Sequence, residues 1–544
     1  MAIPCVSHYL GGGANTIEEL ECVVSEASEK IIITVGGKIM TEEIYRLPRD
    51  YRSRLDPEPY LDMPGGVVFQ PHVYELALFV AERANVEHII DIGCGAATKL
   101  QAVQHNFEII CVDTPAGIEL AKSCLCRAEF IETDLENGLS ELPDNMFDNA
   151  VVICADVIEH LRDPFPLALR LAEIESRCKF LFISTPDRDR ARGLMHLGPP
   201  TNTAHVREWT AGEFGVFLKD AGFCDGLLIG HTINNDVNLL KATTLVIAGR
   251  DSHPRCPVPR KSVAAIIHAY NEDDIIEETI RHLYRQGIEI HVFDNWSTDN
   301  TYNTVEKLVA NGQCASVRRF PDRATNQYQW VRQLAETERF AATLQSDWVM
   351  HYDADEFRYS PWRGVSLADA ISFIDSLGYN ALDFSVIDFR FLEKRSSATK
   401  AFEAALTHFE FATRPGGFVQ IKGWKNNGSP IQLAQSGGHE AKFENRRIFP
   451  LKFLLKHYPL RNREQAHRKI FCDRAPRFEA ERRARGWHTH YDKLIDLGEI
   501  SGWNAYDLIA WQPHFFDSEF IVERLSGIGV PIRKPPKASD ISSK

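Results

Sequence analysis

Two short stretches bring together residue types that do chemistry. In WVMHYDADEF three carboxylates, Asp353, Asp355 and Glu356, crowd behind an apolar run. Acids two residues apart on a strand share one face, so Asp353 and Asp355 suit a divalent cation such as Mn2+ or Mg2+, or they are the charges of a solvated loop. In HIIDIGCGAATKL a β-rich run ends in Asp91 and passes into Gly93 and Gly95 before a helix-like segment. Glycines at such a turn let backbone N–H groups approach an anionic or polar cofactor, and the helix N-terminus adds a favourable field. A dinucleotide loop would want a third glycine where Thr98 stands, which argues against a nicotinamide cofactor.

Each signature needs a framework. From residue 70, QPHVYELALFVAERAN has helical spacing, and five β-rich runs follow: HIIDIG, EIICVD, AEFIETD, NAVVICAD and KFLFIST. The stretches between them are long enough for crossover helices, which predicts a parallel, doubly wound sheet. TAGEFGVFLKDAGF reads as a helix, and DGLLIGHT and TTLVIAG as two runs that close the sheet. The segment DSHPRCPVPR has three prolines and no periodicity, so it reads as a domain boundary. A second α/β series then begins with SVAAIIHAY, DDIIEETIRHLYRQG and IEIHVFDN and runs to DWVMHYDADE, with ALDFSVIDFRF as a later strand. The expected organisation is an N-terminal extension (1–60), with a small hairpin in KIIITVGGKI, a first α/β domain (61–250), a linker (251–260), a second α/β domain (261–500) and a C-terminal extension (501–544).

Composition narrows the class. The chain is 44% hydrophobic and 25% charged, as in ordinary folded proteins. Its net charge of −14 repels a phosphate backbone, so nucleic acid is not an expected partner. Twelve cysteines form no CxxC pair and read as free thiols of a reducing cytoplasm. The N-terminus lacks a charged and then apolar leader, and no apolar run is long enough to span a bilayer. A cytoplasmic protein is expected, and peripheral contact with a lipid-linked acceptor is compatible with that.

The first series resembles class I S-adenosylmethionine-dependent methyltransferases. Asp91, Gly93 and Gly95 match their first motif, with Ala97 at its last glycine. The resemblance implies S-adenosyl-L-methionine as cofactor, held by those residues, by Asp113 on the ribose hydroxyls and by Asp134 near the adenine. ADVIEHLRDP is similar to the segment after the fourth strand in small-molecule methyltransferases, which makes His160, beside Glu159, a candidate base for the acceptor proton. HVREWT, with His205 and Arg207, resembles an acceptor-side loop.

The second series resembles family 2 glycosyltransferases of GT-A fold. Tyr270-Asn271-Glu272 stands for their first-strand motif, and DNWSTD for the second, with Asp294 retained, Asn295 for the second acid and Trp296 for glycine. The resemblance implies a nucleotide-sugar donor held by Asn271, Glu272 and Asp294, with its diphosphate bridged by a cation on Asp353 and Asp355. Two late histidines, His439 in SGGHEAKF and His457 in KFLLKHYPLR, are candidates for a third ligand, and His457 is preferred. Inverting members place a carboxylate base well beyond the paired acids, at a distance that fits Glu440 and that Asp388 falls short of. Glu356 is left open between orienting a ligand and facing solvent. The basic stretch from Arg461 to Arg485 is either a solvated helix face or an attraction for a phosphorylated donor or lipid-diphosphate acceptor.

The expected protein is thus a bifunctional enzyme that methylates a small-molecule or glycan acceptor and transfers a sugar, in the synthesis of a methylated glycan. The alternatives are one catalytic domain beside a binding module, and a non-enzymatic scaffold.

Overall fold

The computed structural model describes residues 44–60, 66–139, 141–238, 240–254, 257–393, 406–411, 419–478, 492, 495 and 500–512, and the backbone alone at 3–5, 20–25, 30–35, 38–40 and 42–43. In the backbone-only part, strands β1 (Ile3–Cys5), β2 (Leu20–Ser25), β3 (Lys30–Val35) and β4 (Lys38–Met40) form an antiparallel sheet, and the expected hairpin is the β3–β4 pair. The chain divides into two compact units between Arg250 and Asp251, at the head of the proline-rich segment, with Glu75–Val86 grouped with the second unit.

In the first unit the five β-rich runs become β5 (His88–Ile92), β6 (Glu108–Asp113), β7 (Glu129–Glu132), β8 (Val151–Ala155) and β9 (Phe180–Pro186), all parallel. All seven residues of β9 are buried, as a strand covered on both faces requires. The two later runs, β10 (Leu228–Thr232) and β11 (Thr243–Ala248), complete the sheet. They extend it along one edge, where β11 runs antiparallel to both β9 and β10, and the order is β10-β11-β9-β8-β5-β6-β7. The chain leaves β5 first toward β6 and later returns to β8 on its other side. At that reversal the ends of β5, β6 and β8 open a crevice in which open α/β sheets bind ligands. The expected helices are Pro71–Ala84 and Ala211–Asp220, the latter opened by a reciprocal cap between Thr210 and Glu213.

In the second unit β12 (Val263–Ala269), β13 (Glu289–Asp294), β14 (Ser316–Arg319) and β15 (Trp348–Asp353) are parallel, and β20 (Gly423–Lys425) and β17 (Ala381–Leu382) extend the sheet antiparallel. The register sets Asp353 beside His268 and Asp294 beside Ala269, so both acids leave the same end of the sheet. A second sheet, unforeseen from the sequence, joins β16 (Glu356–Tyr359), β21 (Phe453–His457), β18 (Phe384–Arg390), β19 (His408–Phe411) and β22 (Ile509–Ala510). Its register lines up Glu356, His457 and Asp388 across three neighbouring strands. The first part of the basic stretch is the helix Arg463–His467 and a π-helical turn over Arg468–Arg474; residues 479–485 lie outside the described residues. Among the described residues the cysteines are free, and no helix is long and apolar enough to cross a membrane.

Candidate active sites

The glycine turn after β5 is built for close approach. Gly93 and Gly95 have φ of 73° and 51°, and a Cβ on Gly93 would lie 2.3 Å from Val157 Cγ2. Ala97 also takes a positive φ of 50°, a conformation that costs an L-residue roughly 1–2 kcal/mol. Asp113, ending β6, accepts from Gly95 N at 2.7 Å on one oxygen and from Thr114 N at 2.6 Å on the other. It clamps the turn and keeps lone pairs for further donors. Asp91 is fully buried and accepts from the Tyr74 hydroxyl at 2.9 Å. Asp134 is exposed and caps a short turn, accepting from Glu136 N at 3.1 Å.

The segment after β8 turns back toward this loop. Asp156 (φ 54°) accepts from Gln70 Nε2 at 2.5 Å and Ser184 Oγ at 3.2 Å. Glu159 is fully buried; burial and the nearby Asp156 hold its pKa well above the ordinary value. Val206 N donates to the Glu159 carbonyl at 2.8 Å, which brings the HVREWT loop against this segment. His160 donates from Nδ1 to the Ala204 carbonyl at 2.9 Å, and its ring lies 4.8 Å from that of His205. Burial lowers the His160 pKa to about 4, with His205 adding to the shift. Near neutrality it is an uncharged but weak base. Arg207 donates to the carbonyls of Leu161 and Arg162 at 3.1 and 2.8 Å, so it orders the loop.

In the second unit the paired acids sit in a net of cations. Lys422 Nζ on the strand-bound side is 2.8 Å from Asp353 and 2.8 Å from Glu356, and Arg358 also holds Glu356, at 2.5 Å. Lys469, from the π-helical turn, bridges Asp355 (2.7 Å) and Glu272 (2.9 Å). Arg461 ties Glu272 and Asp274, both at 2.7 Å. His457 has Nδ1 2.6 Å from Asp388 and Nε2 3.6 Å from Asp355. Burial alone would raise the Asp355 pKa, but Lys469 and His457 outweigh it and hold the carboxyl well below its usual range. Burial opposes a charge on His457, yet Asp355 and Asp388 push its pKa up to about 10.

As a metal pair, Asp355 and His457 have suitable donors, with Asp388 behind the ring to orient it. Asp353 faces Lys422 instead, and a cation would have to displace the proton on His457. Glu356 is buried between Lys422 and Arg358, so it is not a solvent-facing neighbour. Glu440 stands apart from these pairs, held by Arg446 at 2.7 Å and Lys442 at 3.6 Å, while His439 Nδ1 is bonded to Gln420 at 3.1 Å.

Beside the cluster, Asn271 (φ 53°) accepts from Thr298 N at 2.8 Å and donates to Asp473 at 2.8 Å, which joins two loops. Asp294 is fully buried; its Oδ2 accepts from Ser297 N at 3.1 Å and lies 3.3 Å from Arg319. Its Oδ1 has no hydrogen-bond partner among the described residues. Trp296 stands at φ 61°, donates from Nε1 to the Pro321 carbonyl at 2.7 Å and has Arg319 4.8 Å over its ring.

Sequence reasoning missed Lys422 and Arg358, took Arg461 and Lys469 only as part of a basic stretch, and set Asp388 aside on distance along the chain. The lone lysine inside the apolar run FVQIKGW was a usable signal for Lys422, because an unpaired buried ammonium is rarely tolerated. Lys469 was hidden among arginines.

A family model described as Methyltransferase domain matches residues 90–174, and one described as Glycosyl transferase family 2 matches residues 264–358. Among solved structures the chain is similar to a SAM dependent methyltransferase from Aquifex aeolicus, at 20% identity over 33% of this chain and 89% of that one, with a TM-score of 0.25. It is also similar to the [4+2]-cyclase SpnF (13% identity, 35% and 86% covered, TM-score 0.26) and to a SAM dependent methyltransferase from Archaeoglobus fulgidus (18%, 32% and 91%, 0.25). At those TM-scores the likenesses add nothing to the family models. No curated protein matches the chain.

Proposed function

Since the chain is a fusion of a methyltransferase domain and a family 2 glycosyltransferase domain, two kinds of transferase, we propose that it methylates with S-adenosyl-L-methionine and transfers sugar from a nucleotide donor in making a methylated glycan. The observation that carries the glycosyl half is the buried net in which Lys422 and Lys469 grip the paired acids Asp353 and Asp355. When a divalent cation takes the paired acids, Lys422 and Lys469 would be left to neutralise charge that grows on the leaving diphosphate. Asp353, Asp355 and His457 would hold a divalent cation, which when bound supplies Lewis-acid stabilisation of that leaving group. Asp294, with its unpaired Oδ1, offers an acceptor for the nucleoside, and Asn271 holds the loop beside it. Glu440 remains a candidate base, and Asp388 joins it because it contacts His457.

A second reading of the same net is favoured by one observation. Each of the two acids already has a lysine within 2.8 Å, so the ammonium groups alone neutralise part of the charge a cation would meet. In that reading transfer needs no metal.

In the methyl half, Asp113 keeps lone pairs for two ribose hydroxyls while it clamps Gly95, and Gly93 and Gly95 let the cofactor approach the backbone. The sulfonium of the bound cofactor supplies a methyl group for in-line transfer, so the chain's task is mainly to hold the acceptor in line. Asp134, next to the β7 end, is the candidate for the adenine amine.

Calorimetry of the full chain with S-adenosylmethionine, and with UDP sugars in the presence of Mn2+ or of chelator, tests the proposal. Saturable binding of both ligands is expected, and absence of both would overturn it. Sugar-nucleotide turnover that persists in chelator would select the metal-free reading.

A further inference from the structure

Among the described residues, one group of three metal-ligating side chains is preassembled, and it lies in the methyltransferase unit. Glu159, His160 and His205 each offer a ligand atom, and these atoms all lie within 4.8 Å of one another. We propose that these three residues form a site for a divalent first-row transition cation that holds a hydroxyl of the methyl acceptor.

The histidines are set up as ligands. Nδ1 of His160 donates to the Ala204 carbonyl at 2.9 Å, and Nδ1 of His205 to Glu208 at 2.7 Å, so each ring carries its lone pair on Nε2. A carbonyl or carboxylate behind the far nitrogen is the arrangement that fixes the tautomer and orientation of a metal-bound imidazole. Asn202 Nδ2 now donates to His205 Nε2 at 2.8 Å and would give way to the cation.

Glu159 supplies the second, independent observation. It is fully buried, and while Oε2 accepts from Thr185 Oγ1 at 3.1 Å, Oε1 has no hydrogen-bond partner among the described residues. The nearby acids Asp156 and Glu208 add like charge. A buried carboxyl oxygen without a partner is unfavourable, and a cation that displaces the proton of Glu159 would satisfy it. The donor set of two imidazoles and a carboxylate selects a transition cation over Mg2+ or Ca2+, which prefer oxygen.

Its position suggests its use. Val157, two residues before Glu159, packs against Gly93 of the glycine turn. A hydroxyl oxygen held on the cation loses its proton to solvent more readily, then forms the O–CH3 bond as the C–S bond of the sulfonium breaks and its electron pair stays on sulfur. One proton is released for each methyl ether formed. This role rests on the methyl-transfer reading; binding of the cation does not.

The test is titration of the full chain with Co2+, followed by calorimetry and by visible d–d absorption, without any S-adenosylmethionine. The expected result is that Glu159→Gln and His205→Ala each lower the Co2+ stoichiometry by one equivalent, whatever the second unit binds. An unchanged stoichiometry in folded Glu159→Gln, which keeps the side-chain shape, would overturn the site. If His205→Ala fails to fold by thermal melt, Glu159→Gln decides alone. Loss of the equivalent with S-adenosylmethionine binding absent would keep the site and refute the methyl-transfer reading. Methyl transfer at full rate in metal-stripped protein would refute the role.

Discussion

The acids of the two units are stabilised by different means. Around the glycine turn, Asp113 is held by backbone N–H groups and Asp91 by a tyrosine hydroxyl. In the second unit, Asp353, Asp355, Glu356 and Glu272 are each gripped by a lysine or arginine. Neutral donors leave a carboxylate its full charge and free lone pairs, whereas paired lysines and arginines balance the charge of the acids they hold. Similar carboxylates therefore sit in different charge environments because the groups facing them differ.

The largest effect should come from Asp355→Asn. It removes one partner each from Lys469 and His457, and nucleoside diphosphate release should fall on the order of 10²–10³-fold with S-adenosylmethionine binding unchanged by calorimetry. Equal loss of both would mean that the two sites are not independent. Lys469→Met leaves Asp355 and Glu272 short of a cation, and chemical denaturation should show a loss of about 3–5 kcal/mol. A loss under about 1 kcal/mol, the range of surface pairs, would show that this net is solvated in practice.

Asp388→Asn should depress glycosyl turnover more than Glu440→Gln, since only Asp388 touches His457. The opposite ranking in steady-state assays would favour Glu440 as the base. On the other side of the comparison, Asp113→Ala should weaken S-adenosylmethionine binding by about tenfold to a hundredfold, the worth of one or two hydrogen bonds to a charged group, with sugar transfer intact. The smallest effect is expected at Ala97→Gly. Relief of the positive φ should raise stability by up to about 1 kcal/mol, read as a higher denaturation midpoint, and no gain would mean the neighbours already accommodate the alanine.

Much of the framework was legible. The alternation of β-rich and helical runs is a local property, because strand and helix periodicities are written in neighbouring residues. Thus β5 to β9 and β12 to β15 could be placed, with Asp91, Asp113, Asp294 and Asp353 at or near their ends. The second sheet of the glycosyltransferase unit was not legible, since its strands are short and come from distant segments. Its register is what sets Glu356, His457 and Asp388 side by side. Glycine positions were legible only in part: Ala97 and Trp296 keep the left-handed backbone of the glycines they replace, so the conformation outlasts the residue that usually signals it.

By itself the sequence determined that there are two α/β frameworks, where their strands end and which acids lie at those ends. Only the tertiary structure decided what each acid faces. Lys422 and Lys469 reach the paired acids, Arg461 reaches Glu272, and His205 reaches His160, across separations along the chain that no local pattern records. A carboxylate's charge state and ligand depend on its nearest donors in space, so WVMHYDADEF is a cation-saturated cluster because of residues that come long after it.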